Sequence, residues 1–511
     1  MVNLSSHILF HATRSPERLA LVYEDQRVSY AELAERVLRM AGYLQARGVQ
    51  RQQVVAAVMK NSAAFMELSI AVSHIGAVFL PVNFRLARDE IGYILDNADT
   101  ALLFADEEFA AALDGLKPMV TVDAGAQKSS RAITGDASKP PAAPCGKDDL
   151  FRLMYTSGTT DHPKGVMHSY DNFYWKCWDH IADLPITAND ALLVVGPLYH
   201  VGAYDCGGVA VFLVGGSMTI LRDFDPELVL AAIERDRLTC AWMAPVMTGR
   251  ILACESRSRY DLSSFRWCIA GGEKTPGHRV RAFHELFPNG RYIDAYGLTE
   301  TCGGDAFMEP GRELDKLGSV GRKVAHVELR ICDEQGDEVA AGVDGEICLR
   351  GPKVTRGYWR DEAKTAKSFF GDWFRTGDVG HVDADGFLFL TDRIKDMIIS
   401  GGENIASSEV ERVIFAMPQV EDVAVVGCPD QRWGERPVAA VQLAPGQTLD
   451  LPTLTAYCRS HLAGFKVPKE LVILDALPRN PSGKVLKRVL REQLAQRDDT
   501  PDEKQDASDP G

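Results

Sequence analysis

Residues 155–165, which read YTSGTTDHPKG, are the most informative segment of the sequence. They follow a short apolar run, LFRLM, and precede a helical pattern that begins near Ser169. Small residues let the backbone approach a polyphosphate closely, and consecutive backbone N–H groups form a nest for anions. The hydroxyls and the lysine add hydrogen-bond donors. The predicted phosphate-binding residues of this loop are Thr156, Ser157, Gly158, Thr159, Thr160 and Lys164.

This loop differs from two common nucleotide-binding patterns. Pro163 stands where a Walker A loop needs a glycine before the lysine. No GxGxxG motif follows a predicted strand, so a dinucleotide-binding fold has no support. A Ser/Thr-rich surface turn would have a similar composition, and the rest of the chain has to decide between the two interpretations.

Five further segments carry informative residues. They read DAYGLTE at 294–300, FRTGD at 374–378, DRIKD at 392–396, SGGENI at 400–405 and RNPSGK at 479–484. With the loop, and in this order, they resemble the motifs of the adenylate-forming superfamily: acyl-CoA synthetases, non-ribosomal adenylation domains and luciferases. The resemblance extends over essentially the whole chain up to its acidic end. One departure is Asp161, where the family usually has glycine, and we expect this carboxylate to change ATP affinity modestly.

The resemblance implies a fold of the α/β class. A large N-terminal AMP-binding domain, residues 1–393, would contain two layered α/β subdomains and a small β-barrel-like subdomain. A hinge at 394–396 would lead to a small, mobile α+β C-terminal domain at 397–495. Residues 497–511 carry too few apolar groups to bury a core, so this acidic tail is predicted to be disordered.

The hydrophobic pattern agrees with this organisation. In the first 280 residues strands and helices alternate, which indicates a mostly parallel sheet. The predicted strands are 53–60, 77–82, 101–105, 192–195, 209–214 and 218–221, and the predicted helices are 62–75 and 88–97. Glycine-punctuated runs between 318 and 391 indicate a twisted antiparallel sheet or small barrel. Beyond them we expect helices at 407–415 and 454–461 and strands at 423–426 and 438–441.

The implied activity is that of an ATP-dependent acyl-CoA ligase. A carboxylic acid would be activated as acyl-AMP with release of pyrophosphate, and the acyl group would then pass to the thiol of coenzyme A. Carboxylate and α-phosphate are both anionic, so the site must neutralise charge as they meet. The catalytic residues carried over are Lys484, Glu300, Thr299 and His200. Glu300 would hold Mg²⁺, which prefers oxygen ligands shared with substrate phosphates.

The same resemblance assigns the nucleotide. Asp378 has two acceptor oxygens for the paired ribose hydroxyls, Arg393 would support the ribose or the hinge, and Tyr296 would stack on adenine. Asp294 would accept a hydrogen bond from the adenine amine. The other residues expected to wall the nucleotide are Gly271, Gly272, Glu273, Ala295 and Gly297.

The C-terminal segments imply a second step. Lys395 would absorb the backbone change of a hinge, and the rotation would withdraw Lys484 and bring a glycine loop to the active site. Glycines there allow a close approach to the pantetheine arm of coenzyme A. The predicted coenzyme A contacts are Gly401, Gly402, Glu403, Trp433 and Phe465. For the two aromatic residues, burial in the core is the commoner interpretation.

Residues 197–203, PLYHVGA, resemble the segment beside the acyl pocket, with His200 as an aromatic gate. The predicted pocket residues are His200, Val201, Tyr204, Ala270 and Gly303. Several small residues nearby would leave room for a hydrophobic acid that is medium or long, bulky or ring-bearing. A fatty acid, an aromatic acid and a steroid-side-chain acid all remain open.

Other functions were weighed against this one. Enzymes that load amino acids onto carrier proteins place an aspartate after the aromatic residue, where this chain has Val201. A luciferase-like oxygenase would share every motif. An inactive ligand-binding homologue is disfavoured by the presence of Lys484, Glu300 and Asp378. The pair His7 and His11 lacks the intervening glutamate and third ligand of a zinc protease.

Charge and composition exclude further classes. The 511 residues carry a formal net charge of −15, which disfavours a nucleic-acid binder. Eleven cysteines, an odd number without a CxxC pair, favour a reducing cytoplasm over a disulfide framework. The N-terminus lacks the apolar core of a signal peptide, and no stretch predicts stable membrane insertion. The expected partners are ATP, coenzyme A and a small carboxylic acid, and a homodimer is left open.

Overall fold

The computed structural model describes residues 3–123, 133–135, 137–156, 163–271, 275, 277–393, 396–400, 403–430, 432–479 and 485–498. The chain divides into two compact units. The first comprises Met1–Thr376 and Val382–Phe389, and the second comprises Gly377–His381 and Leu390–Gly511.

A six-stranded sheet in the first unit carries the phosphate-loop hairpin. Its five leading strands are parallel, and only the last pairing is antiparallel. In spatial order the strands are Met119–Val122, Thr100–Asp106, Val54–Val58, Val78–Pro81, Leu150–Thr156 and Lys164–Ser169. Because strands buried on both faces read as continuous apolar runs, the sequence VVAAV fits its central place.

A nine-stranded sheet forms the second layer of the same unit. Its six middle strands are parallel, and antiparallel hairpins close both edges. In order the strands are Arg322–Lys323, Ala306–Phe307, Arg291–Tyr296, Trp267–Gly271, Cys240–Trp242, Ala191–Val194, Ser217–Ile220, Leu19–Tyr23 and Gln26–Ser29.

Helices connect the strands of both sheets. Ala63–His74 is buried at all twelve positions, as expected for a helix that is apolar all round. The other α-helices of this unit are Leu4–Arg14, Tyr30–Ala46, Arg88–Asn97, Glu107–Leu113, Tyr170–Asp183, Val201–Asp205, Ala210–Val214, Pro226–Asp236, Pro245–Leu252, Gly277–Leu286 and Glu362–Lys367. Short 3₁₀ turns lie at Glu255–Arg259 and Thr299–Thr301.

One predicted strand was wrong. Residues 209–214 contain the helix Ala210–Val214, which ends at Gly215 in the left-handed conformation. The run is short, and its first four residues are buried; a short apolar run does not distinguish a buried helix from a buried strand by its periodicity. The strand and helix predictions at 53–60, 62–75 and 88–97 were right to within three residues.

A third sheet is antiparallel, in agreement with the glycine-punctuated β pattern. Its strands are Glu328–Cys332, Gly345–Arg350, Trp373–Val382 and Phe369–Phe370, with Leu388–Arg393 paired to the third. The boundary between the two units passes through the last hairpin, since Gly377–His381 and the chain from Leu390 belong to the second unit.

The second unit is a small α+β body. Its sheet runs in the order Glu403–Ile405, Ile398–Ser400, Gly434–Leu443 and Val420–Asp430, and Glu470–Ile473 adds in parallel to Gly434–Leu443. Its helices are Ser407–Phe415, Leu451–Arg459 and Lys487–Asp498, with a 3₁₀ turn at Gly464–Lys466. Apolar clusters cover both faces of the sheet. The helix predicted at 407–415 is confirmed as Ser407–Phe415.

The predicted fold class is confirmed: layered α/β sheets and a smaller antiparallel sheet precede a small α+β unit. No helix in the described ranges is long and apolar enough to cross a bilayer.

Candidate active site

Three of the predicted site segments lie at one edge of the nine-stranded sheet. The carboxyl ends of parallel strands meet at the same edge, where α/β proteins bind ligands. The strands that end at Val194, Trp242, Gly271 and Tyr296 are all parallel neighbours, and Gly271 stands opposite Ala295 in register. Consequently the segments that carry His200 and Glu300, which follow two of these strands, leave the sheet at the same edge.

The phosphate-loop hairpin places a cation beside this edge. Thr156 pairs directly with Lys164 across the hairpin. Burial lowers the pKa of Lys164, and Lys364 lowers it further, whereas Asp361 and Glu300 act in the opposite direction. Lys164 thus lies close enough to Glu300 for their charges to interact. The loop residues Ser157, Gly158, Thr159 and Thr160 lie outside the described residues.

Glu300 is held on a short turn by two neighbours. The Tyr358 hydroxyl donates to its Oε1 at 2.8 Å, and the Thr355 N–H donates to its backbone carbonyl at 2.7 Å. Burial raises the pKa of Tyr358, and the adjacent Glu300 carboxylate adds to the shift. Just before the turn, Gly297 is required, because a Cβ there would lie 2.2 Å from the Gly304 nitrogen.

Glu300 offers a single carboxylate, which suits a Mg²⁺ ion that takes its remaining ligands from substrate phosphates and water. Within the described parts of the chain, no three His, Cys, Asp or Glu side chains form a metal-binding group. Mg²⁺ usually takes one or two carboxylates and completes its shell with substrate phosphates and water. A single partly exposed carboxylate next to the phosphate-loop hairpin matches that requirement.

Beneath this turn lies a buried polar cluster that the sequence reasoning missed. It contains Arg152, His168, Lys176 and Asp205, all with 0% exposure. Arg152 and His168 are register partners on the two strands of the phosphate-loop hairpin. A charged residue within the apolar run LFRLM was a readable signal, since arginine is rarely buried unless paired.

Asp294 and its neighbours form the predicted adenine wall. Burial raises the pKa of Asp294 to about 7, while a hydrogen bond from Thr275 acts to lower it. Ala295 lies in the sheet between Gly271 and Phe307, and Tyr296 is buried at the strand end. The predicted wall residues Gly272 and Glu273 lie outside the described residues.

The space beside His200 is already filled by a side chain. A Cβ on Gly202 would lie 2.4 Å from the Trp242 indole, and one on Gly196 would lie 2.5 Å from it. The rings of His200 and Trp242 are 6.1 Å apart. The expectation that small residues here leave open room was therefore wrong at Gly202, because the Trp242 indole occupies the space beside it. Trp242 is a site residue that the sequence reasoning overlooked.

The other predicted pocket residues separate into two groups. Gly303 approaches Val201 and Cys206, with a built Cβ 3.3 Å from the Cys206 sulfur. Ala270, in contrast, packs in the apolar core. Tyr204 is also buried, its hydroxyl 2.5 Å from Ser69 Oγ. Tyr204 thus faces the polar interior and not an open pocket.

In the second unit, Asp378 and Arg393 form an ion pair, with Arg393 Nε 3.0 Å from Asp378 Oδ1. Trp433 and Phe465 are 44% and 40% exposed, so neither is a core residue. Glu403 is exposed at the start of a strand. The predicted residues Lys395, Gly401, Gly402 and Lys484 lie outside the described residues.

Comparison with known proteins places this geometry in a family. Residues 10–359 match the model of the AMP-binding enzymes, and residues 409–484 match the model of the AMP-binding enzyme C-terminal domain. A feruloyl-CoA synthase from Amycolatopsis sp is 36% identical over 96% of this chain and 98% of its own. A long-chain-fatty-acid–CoA ligase from Mycobacterium tuberculosis is 33% identical over 97% and 99%.

Solved structures agree with the sequence matches. The o-succinylbenzoate CoA synthetase from Bacillus subtilis, in complex with its acyl-adenylate intermediate, has a TM-score of 0.86 and 31% identity. The match covers 96% of this chain and 97% of that one. The motifs, the fold and these matches together lead to one identification: the chain belongs to the AMP-binding enzymes of the adenylate-forming superfamily, as an AMP-forming acyl-CoA ligase.

Proposed function

We propose that the acid activated by this ligase is hydrophobic and ring-bearing. The observation that carries the proposal is the aromatic pair His200 and Trp242 at the carboxyl edge of the sheet, next to the turn that follows Tyr296. Aromatic side chains favour offset or edge contacts with another ring. A feruloyl-CoA synthase among the relatives supports the same substrate class.

In the proposed first step, a carboxylate oxygen attacks the α-phosphorus of ATP, and the bond to pyrophosphate breaks. Thr156, Lys164 and Thr299 would contact the phosphates. Lys484 would bridge the carboxylate and the α-phosphate, a role that suits a compact cation on a flexible stem. Mg²⁺ held by Glu300 would offset phosphate charge.

In the proposed second step, the thiol sulfur of coenzyme A attacks the acyl carbonyl. The carbon–oxygen bond to AMP breaks, AMP leaves, and the thiol proton goes to solvent. Residues 394–396 would act as a hinge between the steps, with Lys395 absorbing the backbone change. The exposed aromatic rings of Trp433 and Phe465 stand beside Arg432 and Lys466, a combination suited to a nucleotide with phosphate groups.

A panel of acids tests the substrate class. Ferulic acid, palmitic acid, acetic acid and phenylalanine are each supplied with ATP, Mg²⁺ and coenzyme A, and release of AMP and pyrophosphate is measured. We expect kcat/KM for ferulic acid to exceed that for acetic acid by at least about 100-fold, since each buried methylene or ring contact adds discrimination. A preference for palmitic acid would contradict the ring-bearing class, and a preference for phenylalanine would indicate amino-acid activation in place of a hydrophobic acid.

A further inference from the structure

The buried polar cluster connects three segments of the proposed active site. Arg152 and His168 lie on the hairpin that carries the phosphate loop, and Asp205 ends the helix that follows His200. Their fourth partner, Lys176, lies on the helix Tyr170–Asp183, which directly follows the hairpin, with Nζ 2.9 Å from Asp205 Oδ1. Burying such groups costs several kcal/mol unless they are paired, so the arrangement demands a physical explanation.

The hydrogen bonds determine which ring nitrogen of His168 carries the proton. Arg152 Nε and Nη2 lie 3.2 and 2.9 Å from His168 Nδ1, and Nη2 also lies 2.7 Å from Asp205 Oδ2. A guanidinium group donates and never accepts. Nδ1 is therefore the acceptor, and the proton sits on Nε2, which donates to the Thr299 carbonyl at 2.6 Å.

That carbonyl belongs to the turn which presents Glu300. The Cys302 N–H also donates to it, at 3.1 Å, and closes the turn. Because C=O and N–H point in opposite directions across a trans peptide, fixing the Thr299 carbonyl also fixes the direction of the Glu300 N–H. His168 thus holds the Thr299 carbonyl of this turn, while Tyr358 holds the Glu300 carboxylate and Thr355 holds the Glu300 carbonyl.

We infer that His168 is a positioning residue for the adenylation step: its Nε2–H, aligned by Arg152 and Asp205, fixes the turn that presents Glu300 to magnesium-bound ATP. The inference rests on the proposed role of Glu300. It assigns to the hairpin a second task besides carrying the phosphate loop.

A matched pair of substitutions separates positioning from simple loss of packing. His74 is a second buried histidine whose Nε2 lies 2.9 Å from a backbone carbonyl, that of Pro140, and whose Nδ1 lies 2.7 Å from Ser5 Oγ. It lies on the helix Ala63–His74, outside the proposed site. His168→Leu and His74→Leu each remove one buried hydrogen-bonding ring, so both should lower the melting temperature.

Of the two substitutions, only His168→Leu should weaken ATP binding and slow adenylation. We expect it to weaken binding of Mg²⁺–ATP, measured by calorimetry without acid, and to slow acid-dependent ATP–pyrophosphate exchange, each by about 10- to 100-fold. Thioester formation from supplied acyl-AMP should stay within about twofold of wild type, because that step no longer uses the pyrophosphate-side contacts. His74→Leu should leave the Mg²⁺–ATP affinity, the exchange rate and the rate of thioester formation within about twofold of wild type.

Two conservative variants sharpen the test. His168→Gln can still place an N–H near the Thr299 carbonyl and should retain most of the ATP affinity. His168→Asn can satisfy Arg152 but is too short to reach Thr299, so it should stay folded and bind Mg²⁺–ATP as weakly as the leucine variant does.

The outcomes decide separately between the two claims. Equal ATP affinity in wild type, His168→Asn and His168→Leu would overturn the positioning role, as would equal losses in His168→Leu and His74→Leu. Failure of wild type to release pyrophosphate with any acid would instead contradict the proposed function, and the calorimetric comparison would still report on His168.

Discussion

At the scale of single residues, Asp294 has the most unusual carboxyl group of the site. Burial raises its pKa to about 7, far above the ordinary value for aspartate. Its backbone carbonyl is held by the Met308 N–H at 2.9 Å, so the residue stays at the strand end in either protonation state. A group of this kind makes stability depend on pH near neutrality.

Asp294→Asn should remove that dependence. Between the unfolded and folded pKa values, the folded chain binds a proton that the unfolded chain has lost, so unfolding free energy falls as pH rises toward 7 and levels off above it. From pH 5.5 to 7 the difference amounts to at most about 2 kcal/mol, and the partial exposure of Asp294 reduces it. Urea denaturation of both proteins without ligands measures the slope. Parallel pH profiles for the two proteins would contradict the assignment.

The motifs supplied the proposed site residues, but they did not supply the groups that hold them. Glu300, Lys164 and Asp294 stand in motifs whose spacing is visible in the sequence. Tyr358 is 58 residues from Glu300, and Trp242 comes from a different strand from His200. Such partners are set by strand order and register, which local pattern does not encode. The signal that was available is physical: Arg152 in an apolar strand predicts a buried partner of opposite charge.

At the scale of elements, the strand Cys240–Trp242 and the helix Val201–Asp205 meet through one indole. Trp242 rests on Gly196 and Gly202, where no other residue type fits without displacement. The contact connects two neighbouring strand ends at the edge where we propose that the acid binds. The shape of this part of the site therefore depends on the absence of two side chains.

Gly202→Ala should displace the Trp242 indole. Overpacking of this kind costs about 1–3 kcal/mol of unfolding free energy, and we expect kcat/KM for a ring-bearing acid to fall relative to that for a short acid. Denaturant titration and the acid panel measure the two effects. Gly464→Ala is the control, because nothing lies within 4 Å of the Cβ it would add. Failure of Trp242→Leu to restore stability in the Gly202→Ala background would contradict the mechanism.

Most strands and helices were predictable because long elements carry a clear period. The helix Arg88–Asn97 and the helix Ser407–Phe415 begin and end at the predicted residues. The helix Ala210–Val214 was mistaken for a strand, since five apolar residues fit either structure. Tertiary packing, with Gly215 as the left-handed stop, decides the outcome there.

At the scale of the whole molecule, we propose that one chain performs two half-reactions with different residues. Lys484→Ala should abolish acid-dependent ATP–pyrophosphate exchange, because it removes the proposed cation between two anionic reactants. It should leave thioester formation from supplied acyl-AMP within about tenfold of wild type. Lys395→Pro should do the reverse, since proline restricts the backbone change expected of a hinge. Equal failure of both variants in both assays would contradict the alternation.

The net charge of −15 constrains how the molecule can hold its anionic substrates. ATP, a carboxylate and coenzyme A are all anions, so a negatively charged protein must hold them with local groups. Lys164 beside Glu300 and the Arg152–Lys176 pair around Asp205 show how cations are concentrated in and beneath one region. Global charge therefore disfavours nucleic-acid binding without predicting the sign of the site.

Transfer of a carboxylate oxygen to AMP is the decisive test of the proposed first step. Ferulic acid labelled with ¹⁸O at both carboxylate oxygens is turned over with ATP, Mg²⁺ and coenzyme A, and the product masses are measured by mass spectrometry. Attack of the carboxylate on the α-phosphorus leaves one carboxylate oxygen on phosphorus when the thiol displaces AMP. This mechanism predicts AMP that carries one ¹⁸O and feruloyl-CoA that retains one. Unlabelled AMP, or label in inorganic phosphate, would contradict it.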